Sequence, residues 1–109
     1  MNVRLYLAQR LTAAVMVPLV AVHLAVIIYA TGHGLTAADV LARTRGSIAW
    51  GLFYVTFVVT AAVHAPIGVR TVLAEWSSLK GRSIDWIATA IGLVLLVFGV
   101  RAVAAVVLP

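Results

Sequence analysis

The run "LTAAVMVPLVAVHLAVIIYATGHGLTAA", Leu11 to Ala38, contains no Asp, Glu, Lys or Arg. About 20 consecutive apolar residues carry an α-helix across the hydrocarbon core of a bilayer, so this run reads as a membrane span. Two more follow. No formal charge occurs from Gly46 to Val69 or from Trp86 to Val100, and only Arg101 interrupts the last run before Pro109. The pattern predicts an all-α integral membrane protein with transmembrane helices at about 9–31, 47–76 and 84–107, in one domain over residues 1–109. The first apolar run is longer than the h-region of a signal peptide, so its retention is expected.

Composition agrees. Of 109 residues, 64 % are hydrophobic and 10 % charged, whereas about a quarter of a soluble domain is charged. Cysteine is absent, which excludes disulfides, thiolate metal sites, iron–sulfur ligation and cysteine nucleophiles. The net charge of +5 comes without a basic run. The cations lie between apolar spans and read as topology signals, so nucleic acid is not an expected partner. Arg4, Arg10, Arg70, Lys80 and Arg82 fall on the side of the N-terminus and the second connection; Arg43, Arg45 and Arg101 fall on the other. The positive-inside rule then predicts an N-terminus in the cytoplasm or matrix.

The connections carry their own signals. Thr36 with Asp39 three residues on resembles a capping box and predicts a short interfacial helix from Ala37 to about Arg43. "SSLKGRS" is a turn by composition, with Ser83 as expected N-cap of the third span and Asp85 suited to its first turn.

Ionisable groups inside a span point to function. His23 and His64 lie inside spans, whereas His33, in the loop "TGHG", reads as an interfacial residue. At 100° per residue Thr60, His64, Gly68, Thr71 and Glu75 form one stripe. Gly68 leaves clearance one turn beyond His64. Thr60 either orients the imidazole or bonds its own backbone. Pro66 frees the carbonyl of Ala62, which then needs another partner. Arg70 lies about 9 Å further along the axis. Two readings stand for His64: a metal ligand beside a flat macrocycle, or an interhelical hydrogen bond with Gly68 as a packing notch. His23 has Leu19, Val20, Val26 and Ile27 around it, with Gln9, Thr12 and Met16 on the same face. It is about 20 Å along the first span from Arg10, and His64 is about 25 Å along the second from Ser47. The two imidazoles therefore lie at different depths and cannot share one iron.

"HAPIGVRTVLAEW", His64 to Trp76, resembles the second-helix motif of the membrane-anchor subunits of succinate dehydrogenase and fumarate reductase. In that family the histidine is an axial ligand of haem b, and the glycine four residues on and the acidic–aromatic pair recur. "YLAQRLTAAV", Tyr6 to Val15, resembles the start of the family's first helix, where an arginine lies close to quinone and a haem propionate; Arg10 is the matching position. Trp76, after Glu75, matches the family's quinone-bonding tyrosine, although an indole donates without accepting. Gln9, Thr12 and Ala13 replace the histidine, serine and glycine of the family's His-Arg-x-Ser-Gly form. Members with two haems carry a first-helix histidine fourteen residues after a Gln, the spacing of Gln9 and His23.

The resemblance implies half of a haem-binding helical bundle, with haem b, one or two, shared with a second anchor chain. That chain is an identical copy or a sister subunit. His64 and His23 are the implied iron ligands, with Gly68, Arg70 and Arg10 near the cofactor; Arg101 snorkels outward or pairs with a propionate of an outer haem. Arg10, Glu75 and Trp76 are the implied quinone site. The implied partners are a flavoprotein subunit with FAD, an iron–sulfur subunit and the lipid bilayer, in a bacterial or archaeal cytoplasmic membrane. The rival classes are a small transporter, a bare structural subunit, and the haem-bearing anchor of another quinone-linked oxidoreductase. A proton-coupled transporter needs a carboxylate within the bilayer, and Asp39, Glu75 and Asp85 all lie near span ends.

Overall fold

A computed structural model of the protein describes residues 2–109, and among these the chain forms four α-helices and no strand. They are α1 (Val3–His33), α2 (Ala37–Thr44), α3 (Ile48–Trp76) and α4 (Arg82–Val107). α1, α3 and α4 are each long and apolar enough to cross a membrane, as the uncharged runs predict. α2 is the short helix expected in the first connection.

The helix ends are set by local hydrogen bonds rather than by the hydrocarbon boundary. α1 begins at Val3, not near residue 9, because the Asn2 side chain accepts a hydrogen bond from the Leu5 amide at 2.8 Å. Its 31 residues extend about 46 Å, against a hydrocarbon core of about 30 Å, so its charged first turns need not lie in hydrocarbon. At the other end His33 is the last helical residue rather than a loop residue. Its ring stacks on Tyr29 at 3.9 Å, and its Nδ1–H donates to the Tyr29 carbonyl at 2.9 Å. Gly34 follows at φ +128°, where a Cβ would lie 2.5 Å from an Asp39 carboxylate oxygen, so the turn requires glycine.

The capping box forms as expected. Thr36 Oγ1 accepts from the Asp39 amide at 3.1 Å, and Asp39 Oδ2 accepts from the Thr36 amide at 3.2 Å and from its hydroxyl at 2.6 Å. These bonds, the hydroxyl's first, hold the Asp39 carboxyl below the usual carboxylate value. The expectation of Ser83 as an N-cap is corrected. The cap is Gly81, at φ +60°, which turns the chain two residues earlier and leaves Ser83 inside the first turn.

α3 is central. One of its faces packs on α4 and another, less extensively, on α1, while α2 leans on α4. Glycines set the close approach of α3 and α4. Gly51 faces Val107, Gly99 faces Val58, and Gly92 faces both the Pro66 ring and the Ala62 carbonyl. This assigns Pro66, which the sequence left without a role. Its ring fills the Gly92 notch, and the carbonyl it frees faces the same backbone. The end of α2 and the turn after it close the far end of α4: the Thr44 hydroxyl donates to the Val106 carbonyl and the Gly46 amide to that of Val107, both at 2.6 Å. Two of the carbonyls orphaned at a helix end thereby gain partners. Among the described residues few side chains are buried and none completely, and long apolar ones face outward along all three spans. Lipid and further chains are the natural cover for such faces.

Candidate functional site

The α1–α3 interface brings polar side chains together at two levels. Toward the N-terminus of α1, the Thr12 hydroxyl lies 3.0 Å from His64 Nδ1. One turn along α3, Gly68 presents its bare backbone to α1, and a Cβ there would sit 3.3 Å from Gln9 Nε2. The Gln9 amide thus occupies the notch, with its Oε1 buried and lacking a partner. Within this chain, then, His64 makes an interhelical hydrogen bond and Gly68 is a packing notch. That bond engages only one ring nitrogen. His64 is half-buried and also lines an open groove of about 470 Å³ walled by Ala13, Met16, Val17 and Val20 of α1.

At the other level His23 meets α3. Its ring stands edge-on to Tyr54 at 5.7 Å and to Phe57 at 5.6 Å, with the Tyr54 hydroxyl 3.4 Å from Nδ1. His23 lines a cavity of about 380 Å³ together with Ala30, Arg43, Trp50 and Tyr54. Arg43 reaches it from α2, where its guanidinium donates to the Gly34 carbonyl at 3.1 Å. Since Tyr54 is ten residues before His64 on α3, the two imidazoles are separated by about 15 Å along the bundle. One iron cannot bridge that distance.

The other expected site residues fall as follows. Thr60 bonds its own helix, donating to the Thr56 carbonyl at 2.6 Å, and does not touch the imidazole. Arg70 does not join His64. Six residues at 100° carry it about 120° around α3, where it forms an ion pair with Asp85 of α4. Arg101 is exposed on α4 and does not line the His23 cavity; Arg43 supplies the cation there. Arg10 is exposed, with its guanidinium 5.8 Å from the Tyr6 ring centre. Glu75 and Trp76 are exposed at the end of α3, Trp76 by 83 %.

Sequence reasoning missed the pairing of Thr12 with His64, and both Tyr54 and Arg43. Tyr54, Phe57, Ala61, His64 and Gly68 follow each other at spacings of three and four, so the helical stripe signalled Tyr54. Nothing local signalled Thr12, which reaches His64 from α1, or Arg43, which lines the His23 cavity from α2.

A family model described as "Succinate dehydrogenase/Fumarate reductase transmembrane subunit" matches residues 1–107. Neither the curated proteins nor the solved structures yield a match.

Proposed function

The chain belongs to the succinate dehydrogenase/fumarate reductase transmembrane subunit family, and from that premise we propose that it is the haem-bearing anchor of such a complex. In this reading His64 would hold haem b through its imidazole, and a second anchor chain would supply the other ligand. Haem, when bound, provides a one-electron redox centre. The observation that carries the reading is His64 itself: half-buried, hydrogen-bonded through Nδ1 alone, and bordering an open apolar groove. The unpartnered Gln9 oxygen supports a site that one chain does not complete, since a buried acceptor without a donor costs about 1–3 kcal/mol.

His23 is proposed as the ligand of a second haem at the other level. The support is its distance from His64 and its cavity, where Arg43 offers a charge suited to a propionate. Arg10, Glu75 and Trp76 are proposed for the quinone site. An arginine and an indole donate to quinone carbonyls, and a carboxylate relays the protons that reduction requires. Their exposure leaves them open to quinone and to the soluble subunits. The proposed partners are a flavoprotein carrying FAD, an iron–sulfur subunit and the second anchor chain. The proposed setting is a bacterial or archaeal cytoplasmic membrane with the N-terminus inside.

The test is a reduced-minus-oxidised optical spectrum of the purified complex with its haem-to-flavin ratio. Half the haem, with its share of the b-type band, lost in His64→Ala and the other half lost in His23→Ala are the expected results. A complex without that band is a bare scaffold, and full haem content in His23→Ala removes His23 from the ligands.

A further inference from the structure

We propose that Thr12 is the positioning residue for His64: it accepts the Nδ1 proton, fixes the ring tautomer and leaves Nε2 with its lone pair free. The inference rests on reading His64 as a haem ligand, but its geometry stands independently of haem.

A threonine hydroxyl has one proton and two lone pairs. Thr12 Oγ1 lies 2.7 Å from the Ala8 carbonyl oxygen, 3.1 Å from that of Gln9 and 3.0 Å from His64 Nδ1. Both carbonyls only accept. If the hydroxyl proton went to Nδ1, two oxygens 2.7 Å apart would face each other with no proton between them. That separation is the usual length of an O–H···O bond, and 3.0 Å is that of N–H···O. The proton therefore goes to the Ala8 carbonyl, the back-bond a helical threonine makes readily, and Oγ1 is left as an acceptor. The Nδ1 atom must carry the hydrogen. A neutral imidazole has only one N–H, so Nε2 is the unprotonated nitrogen.

Thr60, the other candidate on α3, donates to the Thr56 carbonyl and is not hydrogen-bonded to the imidazole, which pairs with Thr12 instead. The choice of tautomer is thus made across the helix interface, by α1. The opposite tautomer would carry its proton on Nε2 and could not ligate a metal through that atom. Donation of Nδ1–H to an oxygen also raises the basicity of the coordinating nitrogen, which favours the oxidised iron.

Two measurements test this. In the haem-free full chain in micelles, ¹⁵N NMR of the His64 ring is expected to show Nδ1 protonated, unchanged in Thr12→Ser and turned toward the Nε2–H form in Thr12→Val. An Nε2–H ring in the unaltered chain overturns the proposal whatever the haem content. In the intact complex, Thr12→Val is expected to lower the ratio of oxidised to reduced haem at fixed potential by about tenfold, an upward shift of ~59 mV for one electron. Thr12→Ser is expected to restore the original value. An unchanged potential and haem EPR signature in Thr12→Val overturn the positioning role. Absence of b-type haem from the complex sinks the ligand reading and leaves the tautomer result intact, so the two failures are distinguishable.

Discussion

Replacing Gly99 by alanine probes the contact that brings α3 and α4 together. A Cβ at Gly99 would lie 2.5 Å from Val58 Cγ1 and 2.9 Å from Cγ2. Carbon atoms in contact prefer about 3.5–4.0 Å, so the helices must part by roughly 1 Å or Val58 must leave its rotamer. A valine in a helix has one strongly preferred rotamer, and overpacking of this kind costs about 1–3 kcal/mol. The substitution also gains up to about 1 kcal/mol of helix propensity, which masks part of the loss. Gly32→Ala is the matched control, because it lies within α1 and a Cβ there meets nothing within 4 Å. Unfolding of the full chain in mixed micelles should therefore rank Gly99→Ala below Gly32→Ala by about 1–3 kcal/mol. Val58→Ala in the Gly99→Ala background should recover most of the difference, as a coupling of about 0.5–3 kcal/mol in the double-mutant cycle. Equal stabilities of the two glycine variants, or a cycle with no coupling, would refute the contact and with it the seating of α4 on α3.

Thr44→Val removes the buried hydroxyl that donates to the Val106 carbonyl. The expected loss is about 1–3 kcal/mol, read as faster amide exchange in the last turn of α4. Asp85→Asn breaks the ion pair with Arg70, whose side chains are 44 % and 51 % exposed (Arg70 and Asp85). Solvent screening limits the expected loss to about 0–1 kcal/mol, and added salt should shrink it further; a loss insensitive to salt would show the pair to be desolvated. Asp39 has a depressed folded pKa, so its contribution is present above the unfolded value of 3.8 and is lost as pH falls through the folded one. A ¹³C titration of its carboxyl should give a midpoint below 3.8 that rises in Thr36→Val.

The legible features were those that depend on neighbours in sequence. The three spans followed from uncharged runs, since any charge within hydrocarbon is costly. The capping box at Thr36 and Asp39 was legible because both partners lie within one turn. Where two local signals competed, the reading failed. Ser83 is a good capping residue, but Gly81 adopts the positive φ that ends the loop first. The start of α1 was misread because charges mark the membrane surface and not the helix end.

By itself, the sequence determined the class of molecule, the number of spans and the two levels at which His23 and His64 stand. Each of these follows from hydrophobic length and helical rise. Only the tertiary structure decided what each histidine meets. The antiparallel register of α1 on α3 set Thr12 on His64 and Gln9 on Gly68. The seating of α4 took Arg70 to Asp85 and gave Pro66 its notch at Gly92, and the fold of the first connection, not the end of α4, delivered a cation to His23. Register between helices is chosen by the interlocking of side chains over a whole interface. No single residue or short motif carries that information.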